Sequence, residues 1–160
     1  MELITTKSVI TADMGANGNM FGGIMLSELD LAGASYASQL TDSPSLVTKK
    51  FEEVIFEKPV KLKNLIKIYG EVVTFGRTSI TIKLEARKHK VETGAEDVVC
   101  RTRVVFVKID DEGAPIPISE RVKLRYYERF KKYGKGLLTP EELEKEIKSK
   151  ESTQLQLNLK

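Results

Sequence analysis

The chain has 160 residues, enough to bury the core of one domain and too few for two full-sized ones. A net charge of +3, one histidine and one cysteine exclude an intrachain disulfide and a multi-thiolate zinc centre, and argue against a nucleic-acid backbone as partner, which would call for a basic stripe. Hydrophobic residues make up 41% and charged residues 31%, and no apolar run nears the ~18 residues of a membrane helix, so a cytoplasmic globular protein without a membrane span is expected.

In chain order, Thr6 to Ala12 reads as a short strand, and Asn17-Gly18 marks a turn. From Phe21 to Gln39 there is no proline, and Met25, Leu26, Leu29, Leu31, Ala32, Ala34 and Ala37 predict a mostly buried helix that stops near Thr41-Asp42-Ser43-Pro44. Four strand-like segments follow, at Ser45 to Glu57, Leu65 to Phe75, Thr78 to His89 and Asp97 to Ile109. In the third, Ile80, Ile82, Leu84 and Ala86 alternate with Ser79, Thr81, Lys83, Glu85, Arg87 and His89, so one face is apolar and the other wet. Links as short as Gly76-Arg77 suit antiparallel hairpins. The sum is an α+β chain in which an antiparallel sheet wraps one long central helix.

After Pro117 the composition changes. Glu120 to Lys135 is rich in charge and tyrosine, and the Arg125, Tyr126, Tyr127, Arg129, Lys131 and Lys132 group reads as a solvated helix packed on an oligomer surface. Thr139-Pro140-Glu141-Glu142 combines an N-cap, a first-turn proline and a capping-box acid, which predicts a terminal helix from Pro140 to about Lys150 with the last ten residues loose. The domain expectation is a main unit over 1–118 and a charged helical extension over 119–160.

On a helical wheel at ~100° per residue, Ser27, Glu28, Ser35, Ser38 and Gln39 share a polar arc, whereas Asp30 falls among Leu26, Gly33, Ala34 and Ala37. An ionised carboxylate on an apolar flank finds donors, shifts its pKa or faces a pocket that a ligand enters. Gly22 and Gly23 open the same helix, where free backbone N–H groups and the positive dipole end attract developing negative charge. His89, the sole candidate base for a Ser-His-Asp or Cys-His site, lies on a polar strand face; His89 and Cys100 read as a surface histidine and a half-buried strand thiol.

The run Asn17-Gly18-Asn19-Met20-Phe21-Gly22-Gly23, followed by Leu26-Ser27-Glu28-Leu29-Asp30-Leu31-Ala32-Gly33-Ala34, resembles the signature of hot-dog-fold acyl-CoA thioesterases. The resemblance continues in Val47-Thr48, Phe56-Glu57-Lys58-Pro59-Val60, Gly76-Arg77-Thr78-Ser79 and Phe106-Val107-Lys108-Ile109-Asp110, and spans residues 8 to 118. It implies hydrolysis of acyl-CoA to fatty acid and coenzyme A. Asp30 would then be the catalytic base or nucleophile, Gly22 and Gly23 the carbonyl-polarising amides, and Asn19 a residue facing the aspartate across a dimer interface. The family's first loop often reads Pro-x-Asp-Thr-Asn, of which only Asp13 is kept here. Coenzyme A is polyanionic, so Arg77, Thr78 and Ser79, with Lys58, are candidates for phosphate contact and Thr48 for a substrate contact. The resemblance further implies a homo-oligomer, a dimer at least or a trimer of dimers, and no cofactor or metal. Other readings are a non-catalytic acyl-CoA sensor or carrier, which would not need Asp30, and a hot-dog dehydratase, which relies on an active-site histidine that this chain lacks.

Overall fold

The computed structural model describes residues 1–130 and 138–157. Lys131, Lys132 and Lys135 of the charged stretch, and the last three residues of the expected loose tail, lie outside the described residues, as does the side chain of Arg129. Among the described residues six strands form one antiparallel sheet: β1 (Glu2–Ser8), β2 (Leu46–Phe51), β3 (Ile55–Phe56), β4 (Leu65–Phe75), β5 (Ser79–His89) and β6 (Glu96–Lys108). The strand order is β1-β4-β5-β6-β2, with β3 also paired to β6. One long helix, α1 (Gly22–Thr41), packs on the sheet between β1 and β2.

The apolar alternation of β5 sets the face that meets the helix: Ile80, Ile82, Leu84 and Ala86 are fully buried, as are Val104 and Phe106 of β6. Against them α1 presents Met25, Leu29, Ala32, Gly33, Tyr36, Ala37 and Leu40. Gly33 is a packing requirement, because a Cβ there would lie 2.9 Å from both Leu84 Cδ1 and Phe106 Cζ. The helix can approach the sheet so closely only where a side chain is missing. It ends at Asp42, which adopts a left-handed conformation at φ 48° while its N–H donates to the Ser38 carbonyl.

The outer face of the sheet is charged and self-paired. Glu85 is only 8% exposed yet bonds Lys83 at 2.9 Å and Arg87 at 2.6 Å; burial pushes its pKa up, but those two cations outweigh it and the net shift is downward. His89 sits there too, 3.4 Å from Glu96.

Three elements differ from expectation by more than two residues. The first strand is Glu2–Ser8 rather than Thr6 to Ala12; the chain leaves the ladder because Thr11–Asp13 forms a 3-10 turn whose Asp13 Oδ2 accepts the Ile10 N–H at 2.9 Å. The segment Ser45 to Glu57 divides into β2 and β3 around Glu52–Val54. The terminal helix α4 (Pro140–Leu157) runs past Lys150, and the expected capping box opens it, Thr139 N donating to Glu142 Oε2 at 2.7 Å. The short helices α2 (Glu120–Arg125) and α3 (Tyr127–Phe130) precede it; α2 packs on α4, and Arg125 bonds Asp42 at 2.6 Å, tying the extension to the end of α1.

Candidate active site

Two clusters hold most of the residues that the sequence singles out. The first gathers at the start of α1. The 14–20 segment is a hairpin, closed by the Met14–Met20 bridge and by Gly15 N donating to Asn19 O at 2.7 Å, with Gly18 in the left-handed turn at φ 71°. It delivers the chain into the helix, whose first capping bonds run from Ile24 and Met25 to the Phe21 carbonyl at 3.0 and 3.2 Å. The amides of Gly22 and Gly23 precede that ladder and are therefore open donors. A Cβ on Gly23 would sit 2.6 Å from the Phe21 ring, so glycine here makes room for that ring against the first turn.

Beside the tip lies a cavity of about 350 Å³ lined by Asn17, Asn19, Met20, Gly22, Met25, Phe56, Lys58 and Val60 among others. The Asn19 Oδ1 is buried and has no hydrogen-bond partner among the described residues, and such an unmet acceptor is costly unless something fills it. Phe56, 54% exposed, covers Gly22, with its Cζ 3.2 Å from where a Cβ would stand. The sequence places Phe56 in the Phe56-Glu57-Lys58-Pro59-Val60 stretch of the family resemblance but gives it no role at the site.

The second cluster is Asp30 with Thr48. Asp30 is half-buried on α1, forms no ion pair among the described residues, and accepts a 2.6 Å hydrogen bond at Oδ1 from the Thr48 hydroxyl on β2. That bond occupies Oδ1 and leaves Oδ2 without a partner among the described residues. Asp30 does not line the cavity at the helix tip. Seven residues of helix separate it from Gly23, roughly 10 Å at 1.5 Å per residue.

Arg77 and Thr78 lie in the β4–β5 link and Ser79 is the first residue of β5; the Arg77 and Thr78 carbonyls accept from Ile118 and Lys108 at 2.8 and 2.9 Å. Ser79 stands opposite Val107 of β6, at the same end of the sheet as Thr48, which pairs Phe106. Lys58 is not brought to them. It sits beside Val99, eight residues and roughly 25 Å away along β6, and its ammonium bonds Asp97 at 2.9 Å. With Lys58 and Lys90 bonded to it, the Asp97 carboxyl is held down at about 2. Cys100 is buried, and burial pushes its thiol up to about 11, which removes it as a nucleophile near neutral pH. Among the described residues there is no His/Cys/Asp/Glu group able to hold a metal ion, and no helix long and apolar enough to cross a membrane.

A long helix cradled in a single antiparallel sheet of this order is the hot-dog fold. Residues 17–95 match the Thioesterase superfamily. The acyl-CoA thioester hydrolase YciA of Salmonella typhimurium is 31% identical over 120 residues, covering 73% of this chain and 90% of that protein. Among solved structures, a hexameric hot-dog thioesterase of Campylobacter jejuni is 35% identical with a TM-score of 0.67, covering 77% of this chain and 94% of that one. A hexameric thioesterase of Yersinia pestis is 30% identical with a TM-score of 0.68, covering 73% and 94%. The chain belongs to the acyl-CoA thioester hydrolase family of the hot-dog thioesterase superfamily.

Proposed function

We propose that this protein hydrolyses acyl-CoA to a free fatty acid and coenzyme A, in a site completed by two copies of the chain. The observation that carries the reading is the pairing, on one helix, of two first-turn amides without a backbone partner among the described residues and a carboxylate held by a single hydroxyl and free of ion pairs among the described residues. A thioester carbonyl is far too small to reach both ends of a ~10 Å span on one helix. Asp30 of one copy therefore meets the Gly22–Gly23 tip and Asn19 of another.

In this scheme the Gly22 and Gly23 amides hold the carbonyl oxygen. Asp30, with Oδ1 occupied by Thr48, uses Oδ2 to take a proton from a water that adds to the carbonyl carbon. The oxyanion of the tetrahedral intermediate is stabilised by the amides, an effect of roughly 3 kcal/mol per donor. Collapse breaks the C–S bond, and the proton on Asp30 passes to the departing sulfur. Asn19 Oδ1 orients the water. Arg77, Thr78 and Ser79 meet the nucleotide phosphates of coenzyme A, with Lys58 a second cation at the cavity rim. The reaction needs neither metal nor cofactor.

The assembly that follows is a dimer at least, and a trimer of dimers is in keeping with the hexameric relatives. We assign catalysis to residues 1–118, treat 119–160 as an extension, and place the protein in the cytoplasm.

The test is release of thiol from a chain-length panel of acyl-CoAs, followed with a thiol-reactive dye, for the wild type and Asp30→Ala. Turnover in the wild type and its loss in a folded variant are expected. A sensor would instead be stabilised thermally by acyl-CoA without releasing thiol, and that outcome would remove the enzymatic reading.

A further inference from the structure

Lys7 lies on β1, opposite Ile66 of β4, and contacts none of the groups assigned to chemistry. Its ammonium is 3.2 Å from Asp13 Oδ1 and 3.1 Å from Glu28 Oε1. The side chains of Lys7, Asp13 and Glu28 are 22%, 8% and 27% exposed, so this is a largely covered triad in which each charge depends on the others.

The two carboxylates belong to parts of the chain that must keep register. Asp13 is the root of the hairpin that carries Asn19: its Oδ2 accepts from Ile10 N at 2.9 Å, and its carbonyl accepts from Phe21 N at 2.8 Å, immediately before the Gly22–Gly23 tip. Glu28 stands on α1 two residues before Asp30. One ammonium thus joins the root of the hairpin to the helix that supplies the carboxylate.

We propose that Lys7 is a positioning residue for thioester hydrolysis, bridging Asp13 and Glu28 so that the 14–20 hairpin and the Gly22–Gly23 amides stay fixed against α1. The inference rests on the thioesterase reading. Glu28 from α1 and Asp13 from the 3-10 turn are the charges that bear on Lys7, and β4 offers only Ile66 at that register. The Glu28 hydrogen bond, aided by Asp13 and opposed by burial, holds the ammonium above the usual lysine range, so it stays charged through any assay pH. Without it, two like-charged carboxylates are left beside each other with no cation between them, and their repulsion pushes the hairpin root away from α1.

The experiment compares thiol release by the full-length wild type, Lys7→Met, Lys7→Arg and Lys7→Met/Glu28→Gln across pH 5 to 8. Lys7→Met is expected to lower kcat ten- to a hundredfold with KM changed less than threefold. Its kcat should then recover as pH falls, since protonating either carboxyl relieves the repulsion. Lys7→Arg should restore most of the rate, and the double variant should lose the added pH dependence. A kcat for Lys7→Met within twofold of wild type, or a lowered kcat with the wild-type pH profile, overturns the proposal. If Lys7→Met does not fold, Glu28→Gln decides: a severalfold lower kcat at unchanged melting temperature supports the bridge, and an unchanged kcat overturns it. A wild type that releases no thiol defeats the thioesterase reading itself, and the inference with it.

Discussion

Replacing Gly33 with alanine probes the contact that sets the distance between α1 and the sheet, and hence the reach of Asp30. In a helix interior the exchange should stabilise by about 1 kcal/mol, because glycine is the costlier residue there. Here the new methyl carbon would stand 2.9 Å from Leu84 Cδ1 and from Phe106 Cζ, closer than carbon atoms pack. Both neighbours are fully buried and have little room to retreat, so overpacking costs roughly 2–3 kcal/mol. The steric term wins and Gly33→Ala should be destabilised by about 1–2 kcal/mol net. For a chain of this length that lowers the melting temperature by roughly 3–6 °C at fixed protein concentration. Gly33→Val should cost about 3 kcal/mol or more. The control is Ser35→Ala, on the exposed side of the same helix, which should be neutral or slightly stabilised. Equilibrium denaturation measures all three, and a Gly33→Ala chain as stable as wild type or more so would refute the packing account.

Thr48→Val removes the hydroxyl that bonds Asp30 at 2.6 Å while keeping its shape; kcat/KM for acyl-CoA should fall about tenfold, equivalent to about 1.4 kcal/mol, with the fold intact by circular dichroism. Lys58→Ala should let the Asp97 carboxyl rise from about 2 towards the ordinary aspartate value, read by NMR titration. Because that pKa is depressed, whatever stability the pair contributes is present above about pH 4 and fades only as pH falls towards 2. Native protein should leave Cys100 unlabelled by a thiol-reactive dye at pH 7.5, since the thiol is buried and pushed up to about 11, whereas the chain in denaturant should titrate one equivalent.

Where pattern and packing agree, the sequence was a good guide. The expected strand Leu65 to Phe75 coincides with β4, and α1 begins one residue after the expected start, because long apolar periodicity leaves few alternatives. Edge elements were harder. β1 is mostly exposed along its length, so its alternation is weak, and the apolar Val9-Ile10 pair drew the expected strand forward into what is a 3-10 turn. The C-terminal helix outlasted the expectation because Ser152 and Thr153, poor helix formers, satisfy their hydroxyls on the Lys148 and Ser149 carbonyls within the helix. At the site, Asp30 and the glycine tip were legible from a helical wheel and a turn motif, both local. The Thr48–Asp30 bond spans 18 residues, and the Lys7–Asp13–Glu28 bridge joins a strand, a turn and a helix. Such partners are set by how strands stack, which no single stretch of sequence encodes.

The central claim, that the acid of one copy serves the helix tip of another, is tested most directly by complementation. Asp30→Ala and Asn19→Ala chains carrying different tags are co-expressed, and the mixed oligomer is isolated through both tags and assayed for thiol release. Each homogeneous variant should be nearly inactive, while every mixed dimer regains one intact site and close to half of the wild-type rate. A mixed oligomer no more active than its two parents would place both groups in the same chain's site and contradict the account.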